Sequence, residues 1–218
     1  MQGLGPEWAG LSLTMPLKEA ALRVADAASV PATAIGAANT LVRTPDGWYA
    51  ENTDAPGMVD ALRYAGIGTV TSMAVLGAGG TARAAVAAAA DLGVPEILVY
   101  ARRAEAVDAM RPAADLLGRR LTHVPWDRAA DCAAADLVVS TVPKGTADAL
   151  APAWRPETTV FDALYDPWPT PLAAGARAAG CRIVSGLDLL LYQATRQFTL
   201  FTGEPAPVEA MRAALAAS

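Results

Sequence analysis

The segment 72–82, Ser-Met-Ala-Val-Leu-Gly-Ala-Gly-Gly-Thr-Ala, constrains the fold of this chain more than any other. A short apolar stretch leads into a glycine turn and then into an alanine-rich stretch that ends near Leu92. Gly77 permits a tight turn, Gly79 lets a phosphate approach the backbone, and Ala82 is small enough for close packing of helix on strand. A glycine turn alone is weak evidence, but a strand before it and a helix after it favour a dinucleotide site over a plain turn.

From residue 72 onward, apolar strand-like stretches alternate with helical ones. This alternation predicts the α/β class, with a doubly wound parallel sheet of Rossmann type covered by helices on both faces. The predicted helices are Thr81–Leu92, Ala104–Leu117 and Pro171–Ala179. The predicted strands are Met73–Leu76, Glu96–Tyr100, Leu121–Val124, Leu137–Ser140, Thr159–Asp162 and Arg182–Val184.

The two ends of the chain have a different texture. We predict a strand over Gly10–Thr14, a helix that begins at Pro16, and a hairpin of Thr40–Arg43 and Trp48–Glu51 around a Thr-Pro-Asp-Gly turn. Further helices are predicted from an Asp54 N-cap to Arg63, over Leu187–Phe201 and over Val208–Ala216. Residues 1–53 and 186–218 are therefore assigned to one lobe, and residues 54–185 to a nucleotide-binding lobe.

Composition excludes several classes of function. The net charge of −5 and the lack of a basic run argue against nucleic acid or an anionic membrane as partner. We see no 18-residue apolar stretch and no secretory signal. Cys132 and Cys181 lack metal-ligand spacing, so we expect no metal and a reduced, cytoplasmic setting. The single histidine, His123, lies in a predicted strand, where a structural role is more common than a catalytic one.

Two arginines follow the second strand of the predicted nucleotide lobe. At this position an acidic side chain would bind the ribose 2′-hydroxyl of NAD, whereas arginine pairs with the 2′-phosphate of NADP. Arg102 and Arg103 stand there, and no Asp or Glu lies between Tyr100 and Ala104. NADP is therefore the predicted cofactor, the alternative being that both arginines are a solvated start of a helix.

Hydride transfer to a carbonyl also requires a proton donor, and His123 is badly placed for that role. Lys18 falls in the first turn of a predicted helix, where the helix dipole eases loss of its proton. Taken alone, Lys18 is more simply interpreted as a charged residue on the surface. Two further polar clusters at turn positions, Ile35–Thr40 and Glu51–Gly57, change that interpretation.

Four short motifs follow one another along the chain: Leu-Thr-x-Pro-x-Lys, Gly-Ala-x-Asn-Thr, Asn-Thr-Asp-x-x-Gly and Gly-Ala-Gly-Gly-x-Ala. In this order they resemble the motifs of the shikimate dehydrogenase family. The likeness continues through Tyr-Asp-Pro-Trp-Pro-Thr-Pro at 165–171 and Ser-Gly-Leu-Asp-Leu-Leu-Leu-Tyr-Gln at 185–193, and it spans residues 10–203. The tryptophan in the 165–171 segment is most similar to actinobacterial members. The combination is far more specific than any one of its motifs.

The resemblance implies NADPH-dependent reduction of 3-dehydroshikimate to shikimate, a step toward chorismate and the aromatic amino acids. It implies Lys18 and Asp54 as the catalytic pair. Substrate contacts fall on Thr14, Asn39, Asp54, Tyr165 and Gln193. The cofactor side falls on Gly77, Ala78, Gly79, Gly80, Thr81, Ala101, Arg102, Arg103, Ala163 and Gly186. The expected partners are a small-molecule substrate, without nucleic acid or membrane, in a monomer or homodimer.

The chain departs from the family pattern in several places. Ser12 and Ala101 replace frequent asparagines, and Ala163 replaces a frequent methionine. The family also begins with an α/β unit whose Ser-x-Ser motif holds the substrate carboxylate, and nothing like it precedes Gly10. We therefore expect an N-terminally truncated, incomplete substrate lobe. Two alternatives stay open: an NAD-dependent quinate/shikimate dehydrogenase, and a nucleotide-binding module without catalysis.

Overall fold

Two β-sheets organise the chain. The structure is a computed structural model, and it describes residues 3–14 and 16–217. A four-stranded sheet has the order β1-β3-β4-β2, and a six-stranded sheet has the order β10-β9-β8-β5-β6-β7. Among the described residues, no helix is both long enough and apolar enough to cross a membrane.

The strands are β1 Gly10–Ser12, β2 Ala27–Ala28, β3 Thr40–Thr44, β4 Gly47–Glu51, β5 Met73–Leu76, β6 Glu96–Ala101, β7 Arg120–Pro125, β8 Leu137–Ser140, β9 Thr159–Asp162 and β10 Arg182–Ser185. The helices are α1 Leu17–Val24, α2 Val30–Ile35, α3 Asp54–Tyr64, α4 Gly80–Asp91, α5 Ala104–Asp108, α6 Arg111–Leu116, α7 Pro171–Ala178, α8 Gly186–Thr202 and α9 Val208–Ala216. A 3₁₀ helix, Trp126–Ala134, precedes β8.

All neighbouring strands of the six-stranded sheet are parallel, which confirms the predicted α/β class and the doubly wound sheet. Every residue of β5, β8 and β9 is buried, as expected for central strands covered on both faces. The order reverses between β5 and β8, because β6 and β7 extend to one side and β9 and β10 to the other. Ligands bind open α/β sheets at such a reversal, beside the carboxyl ends of the strands.

Helix α4 lies directly on this sheet. Seven of its residues are buried, and six of these are alanines. Alanine loses no side-chain rotamer freedom on burial and allows a helix to approach a strand closely. The alanine-rich stretch of the sequence is therefore a packing surface, and it brings the first turn of α4 to the carboxyl end of β5.

The four-stranded sheet is mixed, since β3 pairs antiparallel with β1 and β4 while β2 runs parallel to β4. Its predicted hairpin is present, with Arg43 opposite Trp48, and Gly47 adopts the positive φ of 127° that the turn requires. The Arg43 guanidinium stacks over the Trp48 ring at 4.4 Å. Leu41, Trp48 and Ala50 form the centre of this sheet's own small core.

Several sequence predictions differ from the structure. The predicted helix Ala104–Leu117 is two helices, α5 and α6, because Pro112 lacks the amide hydrogen that a continuous helix requires, and it stands instead near the start of α6. Thr53 rather than Asp54 occupies the N-cap of α3, and Asp54 is its first helical residue. Strand β1 ends at Ser12 rather than Thr14. Helix α2, strand β2 and the 3₁₀ helix were not predicted.

Helix α8 packs closely on α3. A Cβ atom added at Gly57 in α3 would lie 2.7 Å from the Gln193 backbone nitrogen and 2.9 Å from its Cα. Real Cβ contacts do not come that near, so only glycine permits the observed spacing of the two helices. The absent side chain at Gly57 thereby determines where Gln193 stands.

We predict that Gly57→Ala lowers the free energy of unfolding by about 1–3 kcal/mol, because the added methyl group meets backbone atoms that cannot move independently. Chemical denaturation measures the change. Gly68→Ala is the matched control, since nothing lies within 4 Å of a Cβ at that position. Equal stability of the two variants would contradict the close packing of α3 on α8.

Candidate active site

A cavity of about 310 Å³ lies between the two sheets. It brings together all six residues that the sequence assigned to catalysis and substrate binding, and it also includes two from the predicted cofactor side. Its lining is Ser12, Leu13, Thr14, Lys18, Asn39, Asp54, Ala163, Tyr165, Gly186, Leu189, Leu190 and Gln193. Side chains 181 residues apart in sequence, from Ser12 to Gln193, therefore share one small polar space.

An ion pair links the two predicted catalytic residues. The Lys18 Nζ donates to Asp54 Oδ2 at 2.7 Å, and the side chains are 28% and 15% exposed. Lys18 is the second residue of α1, and Asp54 is the first residue of α3. The two helix starts therefore meet at the cavity, so an ammonium and a carboxylate that can exchange a proton face the same space.

The Asn39 amide fixes the other oxygen of this carboxylate. Its Nδ2 donates to Asp54 Oδ1 at 2.9 Å and to Thr53 Oγ1 at 2.9 Å. Its Oδ1 accepts from the Thr53 backbone N–H at 2.8 Å. Because a backbone N–H can only donate, the amide oxygen of Asn39 must face the Thr53 N–H. The NH₂ group of the amide must then face the Asp54 carboxylate.

The remaining predicted substrate residues stand around this pair. Gln193 Oε1 accepts from Asn39 Nδ2 at 3.3 Å, and Gln193 Nε2 donates to the Leu190 carbonyl at 3.0 Å. Thr14 and Tyr165 are exposed at the rim, where Tyr165 retains 49% of its accessible surface. Polar groups thus surround the cavity at several angles, an arrangement that suits a ligand with several hydroxyl groups.

The glycine loop lies at the carboxyl end of β5, as predicted. Gly77 adopts φ 103°, and its N–H donates to the Tyr100 carbonyl at 2.9 Å. A Cβ at Gly79 or Gly80 would meet no atom within 4 Å, so the backbone at the start of α4 is open to an approaching group. Ala78 and Thr81 flank these two glycines and are partly buried. Open amides at a helix N-terminus fit a pyrophosphate.

Arg102 and Arg103 follow β6, which is the neighbour of β5 in the sheet. Parallel neighbours end at the same edge, so both arginines lie beside the glycine loop. Both are exposed, while Ala101 before them is buried. Two cations next to an open helix start fit a phosphorylated dinucleotide, although both lie outside the 310 Å³ cavity.

Ala163 and Gly186 connect the cofactor edge with the cavity. Ala163 follows β9, and Gly186 begins α8 directly after β10. A Cβ at Gly186 would collide with the Ala163 carbonyl oxygen, so this position admits only glycine. The adjoining Asp162 carboxyl accepts from Thr170 Oγ1 at 2.6 Å, and burial raises its pKa.

A larger cavity of about 620 Å³ lies on the other side of the first turn of α3. Its lining combines apolar and proline residues of α2, α3, α4 and α8 with residues from the segments that flank these helices. Two of its three charged residues already have partners, since Arg196 pairs with Asp60 at 2.7 Å and Glu51 accepts from the Asn52 backbone N–H at 2.8 Å, and the third is Asp91. The smaller cavity, where Lys18, Asn39 and Asp54 converge, is therefore the better candidate for chemistry.

Other residues differ in how far the sequence anticipated them. His123 lies on the edge strand β7 with its Nε2 3.0 Å from the Ala101 carbonyl oxygen, which agrees with a structural role. Ser12, Leu13, Leu189 and Leu190 line the cavity but were not predicted as site residues. Their signal was proximity in sequence to Thr14 and Gln193. Thr53 was missed as a partner of Asn39, although both belong to Asn-Thr pairs.

Two family models and several known proteins match this chain. Residues 1–41 match the model described as "Shikimate dehydrogenase substrate binding domain", and residues 186–216 match "Shikimate 5'-dehydrogenase C-terminal domain". A shikimate dehydrogenase (NADP(+)) from Moorella thermoacetica is 39% identical over 93% of this chain and 72% of its own length. This chain belongs to the shikimate dehydrogenase family. The family predicted from the sequence is thereby confirmed.

Two crystal structures agree with this family in fold. Shikimate dehydrogenase from Mycobacterium tuberculosis has a TM-score of 0.88 and 48% identity, and the match covers 99% of this chain and 81% of that one. The enzyme from Thermus thermophilus, in complex with NADP(H) and shikimate, has a TM-score of 0.79 and 33% identity over 96% of this chain and 78% of that one. Both sheets therefore follow the arrangement of a known enzyme family.

We predict that Asn39→Ala lowers the free energy of unfolding by about 1–3 kcal/mol, because it leaves the buried Thr53 N–H and one Asp54 oxygen without their partner. Thermal or chemical unfolding measures the change. Thr33→Ala on α2 is the control, since that side chain is exposed and such substitutions change stability by less than about 0.5 kcal/mol. Equal free energies of unfolding in the two variants would show that the hydrogen bonds of Asn39 to Thr53 and Asp54 do not stabilise the fold.

Proposed function

We propose that this protein catalyses the reversible NADPH-dependent reduction of 3-dehydroshikimate to shikimate. The observation that carries the proposal is the Lys18–Asp54 pair at 2.7 Å inside a polar cavity beside the carboxyl edge of the parallel sheet. Its relatives share the family and bear the same activity in their names. The division of the chain into a substrate lobe, 1–53 with 186–218, and a nucleotide lobe, 54–185, belongs to this proposal.

The proposed chemistry divides between cofactor and protein. When bound, NADPH supplies the hydride that reduces the carbonyl carbon of the substrate. The carbonyl oxygen then takes a proton from the Lys18 ammonium, and in the reverse direction Lys18 accepts the proton from the hydroxyl. Asp54 sits 2.7 Å from Lys18, so it stabilises the ammonium and accepts a hydroxyl hydrogen of the substrate.

The other site residues are proposed to orient the substrate. Thr14, Asn39, Tyr165 and Gln193 present hydroxyl and amide groups from four separate segments, which would fix one hydroxyl of a polyhydroxylated acid against Lys18. Gly77 to Thr81 are proposed to hold the pyrophosphate, and Arg102 and Arg103 the 2′-phosphate. Ala101, Ala163 and Gly186 are proposed to border the cofactor without charge.

The setting of the enzyme is proposed on similar grounds. Cys132 and Cys181 are both buried free thiols, and burial raises the pKa of Cys132 to about 12, so its reactive thiolate is suppressed. These thiols support a reducing, cytoplasmic compartment. A monomer or a homodimer is proposed, with small molecules as its partners.

The proposal is tested by following formation of reduced nicotinamide with the purified chain. Shikimate and quinate are each offered with NADP⁺ and with NAD⁺, and cofactor affinity is measured in parallel. Turnover of shikimate with NADP⁺ is expected to exceed the other three combinations. Preference for NAD⁺ with quinate would replace the proposal by a quinate dehydrogenase, and cofactor binding without any turnover would replace it by a nucleotide-binding module.

Lys18→Met should lower kcat by about 10²- to 10⁴-fold, because general acid–base catalysis is worth that much. NADP⁺ affinity should stay unchanged, since Lys18 lies in the substrate cavity rather than at the glycine loop. Arg23→Met is the matched control, as it removes a cation from the same helix at an exposed position. A Lys18→Met enzyme with near-normal turnover would remove Lys18 from the mechanism.

Arg102→Gln should raise KM for NADP⁺ about tenfold or more, since a charge-assisted bond to phosphate contributes about 1.5–3 kcal/mol. KM for NAD⁺, which lacks the 2′-phosphate, should not change. Steady-state kinetics with both cofactors supply the comparison, and Arg177→Gln on α7 is a control for loss of an exposed cation. If both KM values rose together, Arg102 would not be the phosphate ligand.

A further inference from the structure

A buried chain of hydrogen bonds runs behind the candidate site. Its first two members, on the side away from the cavity, are Gln197 on α8 and Thr40 at the start of β3, which are 6% and 0% exposed. Neither residue lines the 310 Å³ cavity, and neither belongs to the predicted site. Buried polar side chains are costly unless their hydrogen bonds are satisfied, so the partners of these two residues show what they are for.

The orientation of the Gln197 amide is determined by its neighbours. One atom of the amide stands 3.2 Å from the main-chain oxygen of Asn39 and 2.9 Å from Thr40 Oγ1. A carbonyl oxygen can only accept, so this atom must be the Nε2 nitrogen. One hydrogen of Nε2 points to the carbonyl and the other to the Thr40 hydroxyl.

The Thr40 hydroxyl therefore accepts from Gln197 and has a single hydrogen left to donate. Asn39 Oδ1 lies 2.9 Å away and receives it. The same Oδ1 accepts from the Thr53 backbone N–H. Donors from β3 and from the N-cap of α3 thus hold the side-chain oxygen of Asn39 between them, and the Thr53 Oγ1 also lies 3.2 Å from it.

This series of hydrogen bonds ends at the ion pair of Asp54 and Lys18. With Asn39 Oδ1 held, its Nδ2 is turned toward Asp54 Oδ1 at 2.9 Å, and Asp54 Oδ2 faces Lys18. Every bond from Gln197 to Asp54 runs in one direction, with each residue donating to the next. Such an unbroken series also polarises its members, which strengthens the individual bonds.

We propose that Gln197 and Thr40 are positioning residues that hold Asn39, and through it Asp54, in the orientation that proton transfer with Lys18 requires. The inference rests on the proposed function and adds two residues to it that touch neither substrate nor cofactor. Gln197 selects the direction of the Thr40 hydrogen, and Thr40 limits the tilt of the Asn39 amide.

Thr40→Val tests the central link, because valine keeps the shape and removes the hydroxyl. We expect kcat for shikimate oxidation to fall about tenfold, since small misplacement of catalytic groups slows turnover by that order. KM for shikimate should rise while KM for NADP⁺ stays constant. Thr40→Ser keeps the hydroxyl and should stay within about twofold of the parent enzyme.

A matched control separates positioning from packing. Thr195 is also a buried threonine, 7% exposed. Its hydroxyl donates to the Tyr192 carbonyl at 2.8 Å and takes no part in the series of hydrogen bonds from Gln197 to Asp54. Thr195→Val should leave both KM values unchanged. If Thr40 had only a structural role, Thr40→Val would reduce the fraction of active enzyme and leave both KM values constant. That result would overturn the proposal.

A double-mutant cycle tests whether the links act in series. Gln197→Met removes the first donor, and the Asn39 carbonyl keeps the Leu13 N–H at 2.7 Å as a partner. If Gln197 acts through Thr40, the double variant with Thr40→Val should be no slower than Thr40→Val alone, within about twofold. Independent, multiplying effects would overturn the relay. Should Gln197→Met fail to fold, Gln197→Asn, whose shorter amide cannot reach Thr40, replaces it in the cycle.

The parent enzyme keeps the two proposals distinguishable. Normal parent turnover together with unaffected Thr40 and Gln197 variants overturns the relay alone. Absence of shikimate turnover in the parent overturns the proposed function, and hydrogen exchange of the Asn39 side-chain amide, observed by NMR in labelled protein, then decides the relay. Exchange should be faster in Thr40→Val than in Thr195→Val. Equal exchange in the two variants would overturn it.

Discussion

Helix α8 is packed against both sheets, and the rest of the site depends on that contact. It begins at Gly186, directly after the last strand of the parallel sheet, and it reaches the mixed sheet at the Asn39 main chain through Gln197. Between these points it rests on α3 at Gly57, so closely that a methyl group would not fit. Together with the packing of α2 and α3 on α4, this helix sets the separation of the two sheets across the cavity.

Charge neutralisation is the second constraint on the site. Lys18 and Asp54 are only partly exposed, and each would be costly to shelter from water without the other. Both stand at helix starts, where the backbone is fixed and the side chains cannot drift far apart. A carboxylate that is held on one oxygen by an amide and on the other by an ammonium has little freedom left, which suits a group that must meet a substrate at one angle.

Much of the fold could be predicted from the sequence because its signals are local. Strand Met73–Leu76 is wholly apolar, Leu137–Ser140 and Thr159–Asp162 have apolar centres, and the structure has all three with the predicted bounds. The prediction of one long helix over Ala104–Leu117 was wrong because Pro112, which cannot donate a backbone hydrogen bond, stands near the start of a second helix. Strand β2 has only two residues and exists through pairing with β4, so no local pattern could indicate it.

The candidate site was predictable as a set of residues but not as a network. Short motifs place Lys18, Asn39, Asp54 and Gln193 in the sequence, yet the direction of each hydrogen bond depends on atoms that only the fold brings together. Thr40 and Gln197 illustrate the difference, since a threonine beginning a strand and a glutamine within a helix carry no distinctive signal of their own.

The glycine that begins α8 has a mechanical consequence. Because a Cβ at Gly186 would collide with the Ala163 carbonyl, the first residue of α8 lies directly against the chain that follows β9. A tilt of about 5° around Gly186 would displace Gln197 by about 1.4 Å, given the rise of a helix per residue. That displacement exceeds the range of lengths over which a hydrogen bond persists. The hydrogen bonds of Gln197 therefore depend on the orientation that α8 takes at Gly186, eleven residues earlier in the same helix.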